Sequence, residues 1–212
     1  ATLPHMGRPL RGGGIGCYLS HLECARRFVA TGADFALVLE DDMQLTLDAA
    51  QVLKHMQAWL QARPVDWDLI NLGPNKLKIS TPLRKFDSPD QSYLLARAHY
   101  FPVRLTGLLW SRVGATTFVE QHRRIFAPVD NYFQHWLTRS DRGLAVWPPL
   151  LIPTGVASDI NQGSTLHRSD EGRHPFYFAI KHRRLLTEKV LALRHKLTRA
   201  LNAKAQATDV AD

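Results

Sequence analysis

The segment Ala36-Leu37-Val38-Leu39-Glu40-Asp41-Asp42 sets the strongest constraint on how this chain folds. Four apolar residues with no polar alternation read as a strand covered on both faces. Three adjacent carboxylates then follow without a break. Like charges this close repel, and burying them is costly. The strand must therefore end where they are tolerated, at the rim of a sheet with a counter-charge above it. In open α/β sheets the rim beyond the carboxyl ends of the strands is also where ligands bind. A divalent cation is a natural counter-charge, because hard cations take carboxylate oxygens. An acidic turn in water is the alternative.

The flanking sequence supplies the other layers. Ile15 to Val29 carries helix-spaced apolar residues and stops at Gly32. Val52, Leu53, Met56, Trp59 and Leu60 recur at three- and four-residue steps, behind a cap at Thr46 or Asp48 and ahead of Pro64. Asp68 to Leu72 reads as a second short buried strand and Leu144 to Trp147 as a last one. Ser111 caps a helix from Arg112 to Arg124, and 131–139 is aromatic-rich and helical. Residues 75–97 read as polar loop with edge structure, 98–110 as two short extended pieces, and 150–177 as irregular. Helix, strand, helix, strand in this order predicts an α/β layer fold with at least part of a parallel sheet. At 212 residues the chain suits one domain, or one domain with an appendage.

Charge is concentrated at one end. Of the net +8, residues 181–204 carry +7, from eight Lys/Arg against the single acid Glu188. The same stretch holds an apolar stripe of Leu186, Val190, Leu193, Leu197 and Leu201. A basic helix with such a stripe fits an anionic membrane surface, and packing against the body or a partner chain is the alternative. Phosphate contact needs Lys and Arg but no stripe, so nucleic acid is the weakest reading. No run of about 18 apolar residues is present. Cys17 and Cys24 lie two helical turns apart, about 10 Å, too far for a bridge. Two reduced, largely buried thiols and a cytoplasmic location, peripheral at a membrane surface through the basic helix, are the expectation.

Four stretches, with a fifth behind them, carry a family resemblance. Gly14-Ile15-Gly16-Cys17-Tyr18-Leu19-Ser20-His21, Leu39-Glu40-Asp41-Asp42, Thr106-Gly107-Leu108-Leu109-Trp110-Ser111-Arg112 with Ala115, and Pro128-Val129-Asp130 come first. Ser158-Asp159-Ile160 near Gly163-Ser164 follows, after Pro148-Pro149. In series these resemble glycosyltransferase family 25, the transferases of bacterial lipopolysaccharide and lipooligosaccharide synthesis, with collagen galactosyltransferases as distant members. The resemblance implies an α/β fold, GT-A-like (Rossmann-like), with a mixed sheet flanked by helices. It implies a UDP-sugar donor, a saccharide or lipid-linked oligosaccharide acceptor, and a divalent metal, often Mn2+. Two departures stand out: the glutamate of the family's first motif is absent before Ile15, and only 13 residues precede that motif. The expectation is a chain lacking an N-terminal nucleotide-binding unit. Its parts are a flexible lead-in (1–13), a GT-A-like catalytic domain (14–177), a basic amphipathic helix (178–203) and a flexible tail (204–212).

The candidate residues follow. Asp42 is the first choice for direct metal contact and Glu40 the second, reaching metal, water or ribose, while Asp41 between them turns inward. Asp130 is the candidate general base that takes the acceptor hydroxyl proton, with Tyr132 and Trp136 near it to stack on a sugar; capping of the following helix is its other role. Asp159 is the runner-up. His21 hydrogen-bonds a loop near the donor or is a structural histidine. It cannot form a hydrolytic dyad with Ser20, because helix neighbours diverge by about 100°. Gly107 is a close-approach position beside the site, or a turn glycine. A non-catalytic, glycan-binding remnant of a glycosyltransferase is the competing reading of the whole chain.

Overall fold

The computed structural model describes residues 2–10, 12–63, 65–122, 124–154 and 172–209. The main sheet is built from β1 (Phe35–Leu39), β3 (Leu69–Asn71), β4 (Ser80–Asp87), β5 (Ser92–Ala98), β6 (Gly107–Ser111) and β7 (Gly143–Trp147), in the order β1-β6-β3-β7-β5-β4. A separate ribbon pairs β2 (Met43–Leu45) with β8 (Leu151–Pro153). The helices are α1 (Thr2–Met6), α2 (Gly12–Ala30), α3 (Ala49–Gln61), α4 (Arg112–Gln121), α5 (Val129–Ser140) and α6 (Tyr177–Asp209).

Alternation along the strands decides the layers. Leu69, Leu108, Trp110 and Ala145 point to one core with Tyr18, Leu22, Phe118 and Phe133 from α2, α4 and α5. Ile70, Leu109, Leu144 and Val146 point to the other, with Val52, Met56 and Leu60 from α3. The result is the mixed sheet flanked by helices, in a GT-A-like arrangement. Among the described residues only the β3–β7 pair is parallel; the other pairings of the main sheet are antiparallel. Since β6 runs against both β1 and β3, strands β1, β3 and β7 point the same way. Their carboxyl ends therefore share one rim.

Several local expectations are corrected. Strand β1 is not covered on both faces: it lies at the sheet edge, and Leu37 and Leu39 are 41% and 40% exposed. Residues 75–97 do hold edge structure, but as a full β4–β5 hairpin rather than mostly loop, with β4 at the sheet edge and a register shift between Pro82 and Arg84. Pro82 cannot donate to a ladder, which suits β4 as an edge strand. The lead-in contains α1, whose Met6 is buried, and α6 runs on to Asp209. Cys17 is half-buried and Cys24 exposed, so the thiols are not both core groups.

Candidate active site

The rim begins where β1 stops. Leu39 pairs with Gly107, and the Glu40 N–H extends the ladder by donating to the Thr106 carbonyl at 3.1 Å. The chain then turns through Asp41 into β2. The Asp42 carbonyl accepts from both the N–H and the hydroxyl of Thr154, each at 2.9 Å, which ties the turn to the end of β8. Gly107 sits in a strand rather than a turn, and close approach explains it. A Cβ there would lie 2.0 Å from Leu151 Cδ1 and 3.2 Å from Leu39 Cδ2. Beside it, buried Asn71 at the end of β3 donates to the Arg104 carbonyl and accepts from the Gly73 N–H at 3.0 Å. Asn71 thus locks the loop that presents Arg104.

Electrostatics gather residues distant in sequence. Burial pushes the Glu40 carboxyl above its ordinary range. The Asp42 carboxylate pushes it further, Arg104 pulls it back, and Asp41 and Asp130 add smaller pushes. Burial raises the Cys17 thiol too, with Glu40 and Asp130 contributing. Residues from α2, the end of β1 and the start of α5 therefore feel one another across a common region. Asp41 is exposed and does not turn inward. Asp42 is half-buried, and its Oδ1 is buried with no hydrogen-bond partner.

Asp130 lies in the first turn of α5, not at its cap. Pro128 holds the cap position, and Asp130 Oδ1 accepts the Asn131 N–H at 2.7 Å. Burial raises its carboxyl, while the backbone N–H groups of Asn131 and Asp130 and the charges of Arg184 and Arg8 oppose the rise. Tyr132 and Trp136 line an open groove of about 560 Å³ with Phe126, His135 and Arg139, and Asp130 is not among its lining residues. Residues two apart on a helix point about 200° apart, so the aromatic pair and Asp130 serve different faces of α5.

His21 behaves as a core group. It is buried against the Phe133 ring, edge to face at 5.9 Å, and burial lowers its imidazole to about 4. Its Nδ1 has no hydrogen-bond partner, so that nitrogen makes no bond to a donor-side loop. Asp159 lies outside the described residues.

The family-implied metal can be tested against these groups. Hard carboxylate oxygens at Asp42 and Glu40, one of them an orphaned buried acceptor, are the donor chemistry such an ion takes. Ions that work with phosphates are held by one or two carboxylates, substrate oxygens filling the other positions. The rim fits that pattern. Among the described residues, however, the group of three metal-capable side chains that converges lies elsewhere. His5, His135 and Glu188 bring ligand atoms within 4.8 Å of one another. Sequence reading missed this cluster, because its members come from three helices and no local motif joins them. It also missed Arg104, whose only signal was a cation just ahead of Thr106-Gly107.

A helix-flanked mixed sheet with carboxylates gathered beyond its edge strand defines a GT-A-like α/β protein. The family model for glycosyltransferase family 25 (LPS biosynthesis protein) matches residues 1–133, more than half of the chain. The chain belongs to glycosyltransferase family 25. It is similar to procollagen galactosyltransferase 1 of Danio rerio, 28% identical over 74% of this chain and 28% of that protein. It is similar also to a glycosyltransferase 25 family member of Aedes aegypti, 30% identical over 74% of this chain and 27% of that one. A third relative is the probable inactive glycosyltransferase 25 family member 3 of Rattus norvegicus, 27% identical over 74% of this chain and 29% of that protein. The chain thus spans little more than a quarter of the length of these curated relatives.

Proposed function

We propose that the chain transfers a hexose, galactose first among them, from a UDP-sugar to a lipooligosaccharide or other saccharide acceptor. The observation that carries this reading is the Glu40 and Asp42 carboxylates beyond the end of β1, with an unpartnered Asp42 oxygen, in a family 25 fold. Asp42 and Glu40 would hold a divalent ion, Mn2+ for preference, against the donor diphosphate. When bound, such an ion offsets the negative charge that builds on the leaving diphosphate. Arg104 beside Glu40 brings a fixed positive charge to the same rim. In an inverting transfer Asp130 takes the proton of the attacking hydroxyl, and the burial that raises its pKa moves it toward the range a general base needs. The basic helix α6 would hold this body at an anionic membrane surface.

A second reading has a specific observation behind it: one relative is named as probably inactive. On that reading the rim is a glycan-binding remnant. Mass spectrometry of products from a panel of UDP-sugars, with and without Mn2+, separates the two. The transferase reading expects acceptor mass to rise by one hexose in the presence of metal. It expects Asp130→Asn to cut turnover by about 10²-fold or more, the scale of a lost general base, with UDP affinity little changed. Absence of transfer with every UDP-sugar, using native acceptor, selects the remnant. Near-normal turnover of Asp130→Asn would limit Asp130 to its helix-start role.

A further inference from the structure

We propose that His5, His135 and Glu188 form a second metal site, for a zinc-class transition ion, that clips helices α1 and α6 onto α5. The three side chains come one from each helix, and neither Glu40 nor Asp42 belongs to the group. Two imidazoles and one carboxylate are the ligand set of a borderline ion with a fourth position left for water, unlike the all-oxygen chemistry of the rim.

The geometry is close to what the ion needs. Zinc–nitrogen bonds of about 2.05 Å put tetrahedral ligand atoms about 3.3 Å apart. His135 Nδ1 and Glu188 Oε1 already stand 3.3 Å apart. His5, whose ring meets that of His135 edge to face at 5.0 Å, completes the group within 4.8 Å. Phe126 walls the cluster, its ring 4.8 Å from His5 and 5.7 Å from His135.

The independent observation is a set of unmet polar atoms. The Glu188 side chain is 3% exposed, yet its Oε2 has no hydrogen-bond partner, and His5 Nε2 is buried and unpartnered as well. A carboxylate taken from water with one 3.3 Å contact carries a desolvation cost that a bound cation offsets. Arg184 works against the ion, since its charge reaches the same cluster. The expected affinity therefore falls short of a closed four-ligand zinc site.

The test uses the full chain, free of any histidine tag and stripped with chelator, in an Asp42→Asn background that disables the rim. Equilibrium dialysis with Zn2+ should give one ion per chain, and thermal unfolding should move to higher temperature with zinc. His5→Ala, His135→Ala and Glu188→Gln should each weaken zinc binding by about 100-fold or more, beyond the loss usual for an outer-shell partner. His5 lies on the five-residue helix α1 and is only half-buried, so His5→Ala reads the site even where Glu188→Gln fails to fold. No zinc-dependent shift in unfolding, or unchanged binding in His5→Ala and His135→Ala, overturns the proposal. Loss of all zinc binding on Asp42→Asn alone also overturns it, placing the ion at the rim.

Discussion

Burial at His21 leaves an imidazole that the native state keeps neutral while the unfolded chain protonates it. Burial holds its folded pKa at about 4, below the ordinary imidazole value of 6.5. The unfolded state therefore binds more protons between those values, and stability rises with pH there. The contribution is present above about pH 6.5 and is lost as the pH falls toward 4. Between pH 7 and pH 5 the loss from this one group is about 2 kcal/mol. His21→Leu should abolish that part of the acid sensitivity, as read by urea unfolding at the two pH values. It should cost little at pH 7, because the buried Nδ1 has no partner to lose. An unchanged pH dependence would return His21 to a solvated or donor-contacting role. At this scale the carboxylate run was legible, because charge beside an apolar run is a local signal. The surroundings that set His21 and Asp130 were not, since Phe133 and Arg184 reach them through the fold.

The elements were legible wherever one period dominated. Residues of α2, α3, α5 and β7 show their faces in the sequence, and Ser111 caps α4 as its position predicts, accepting the Gly114 N–H at 3.0 Å. The β4–β5 hairpin was hidden for a physical reason. A proline and a register shift break the two-residue alternation at Pro82–Arg84, and edge strands tolerate charged residues such as Arg84 and Lys85. Strand β1 misled in the opposite sense, since an apolar run reads as fully covered even at a sheet edge. The turn from β6 into α4 makes a sharp prediction. A Cβ on Gly114 would lie 2.1 Å from the Asp68 carbonyl oxygen, a backbone atom held by the Ser111 N–H at 3.1 Å. Gly114→Ala should therefore lower stability by about 2 kcal/mol or more, in the upper range of overpacking. Gly107→Ala should cost less, because it presses on the tip of the Leu151 side chain. Denaturant midpoints compare the two, and equal midpoints would mean that the β6–α4 turn yields freely.

The whole molecule is a body with one charged helix fixed along it. Glu188 and Ala192 face inward from α6, and Arg199 pairs with Asp141 at the other end of the contact. The apolar stripe does not join the core: Leu186, Val190, Leu193, Leu197 and Leu201 are 49% to 67% exposed. Packing of the stripe on the body is thereby removed as an explanation. Among the described residues no helix is long and apolar enough to cross a membrane. A partner chain or a membrane surface could each take the exposed stripe; on the membrane proposal, each Lys or Arg near anionic lipid would contribute roughly 1 kcal/mol. The chain should cosediment with anionic vesicles at low salt and not with neutral ones. A Val190→Ser/Leu197→Ser pair, both exposed, should weaken this without unfolding the protein. Equal sedimentation of the pair and the wild type would remove the stripe from the contact. The central claim, however, rests on the rim, where an Asp42 oxygen is buried without a partner and the charges of Asp42 and Arg104 both act on Glu40. Calorimetry of UDP binding with Mn2+ tests it most directly, comparing the wild-type chain with Asp42→Asn. The account predicts metal-dependent UDP binding in the first and its loss in the second, with the circular dichroism of the two unchanged. Equal metal-dependent binding in both would contradict it.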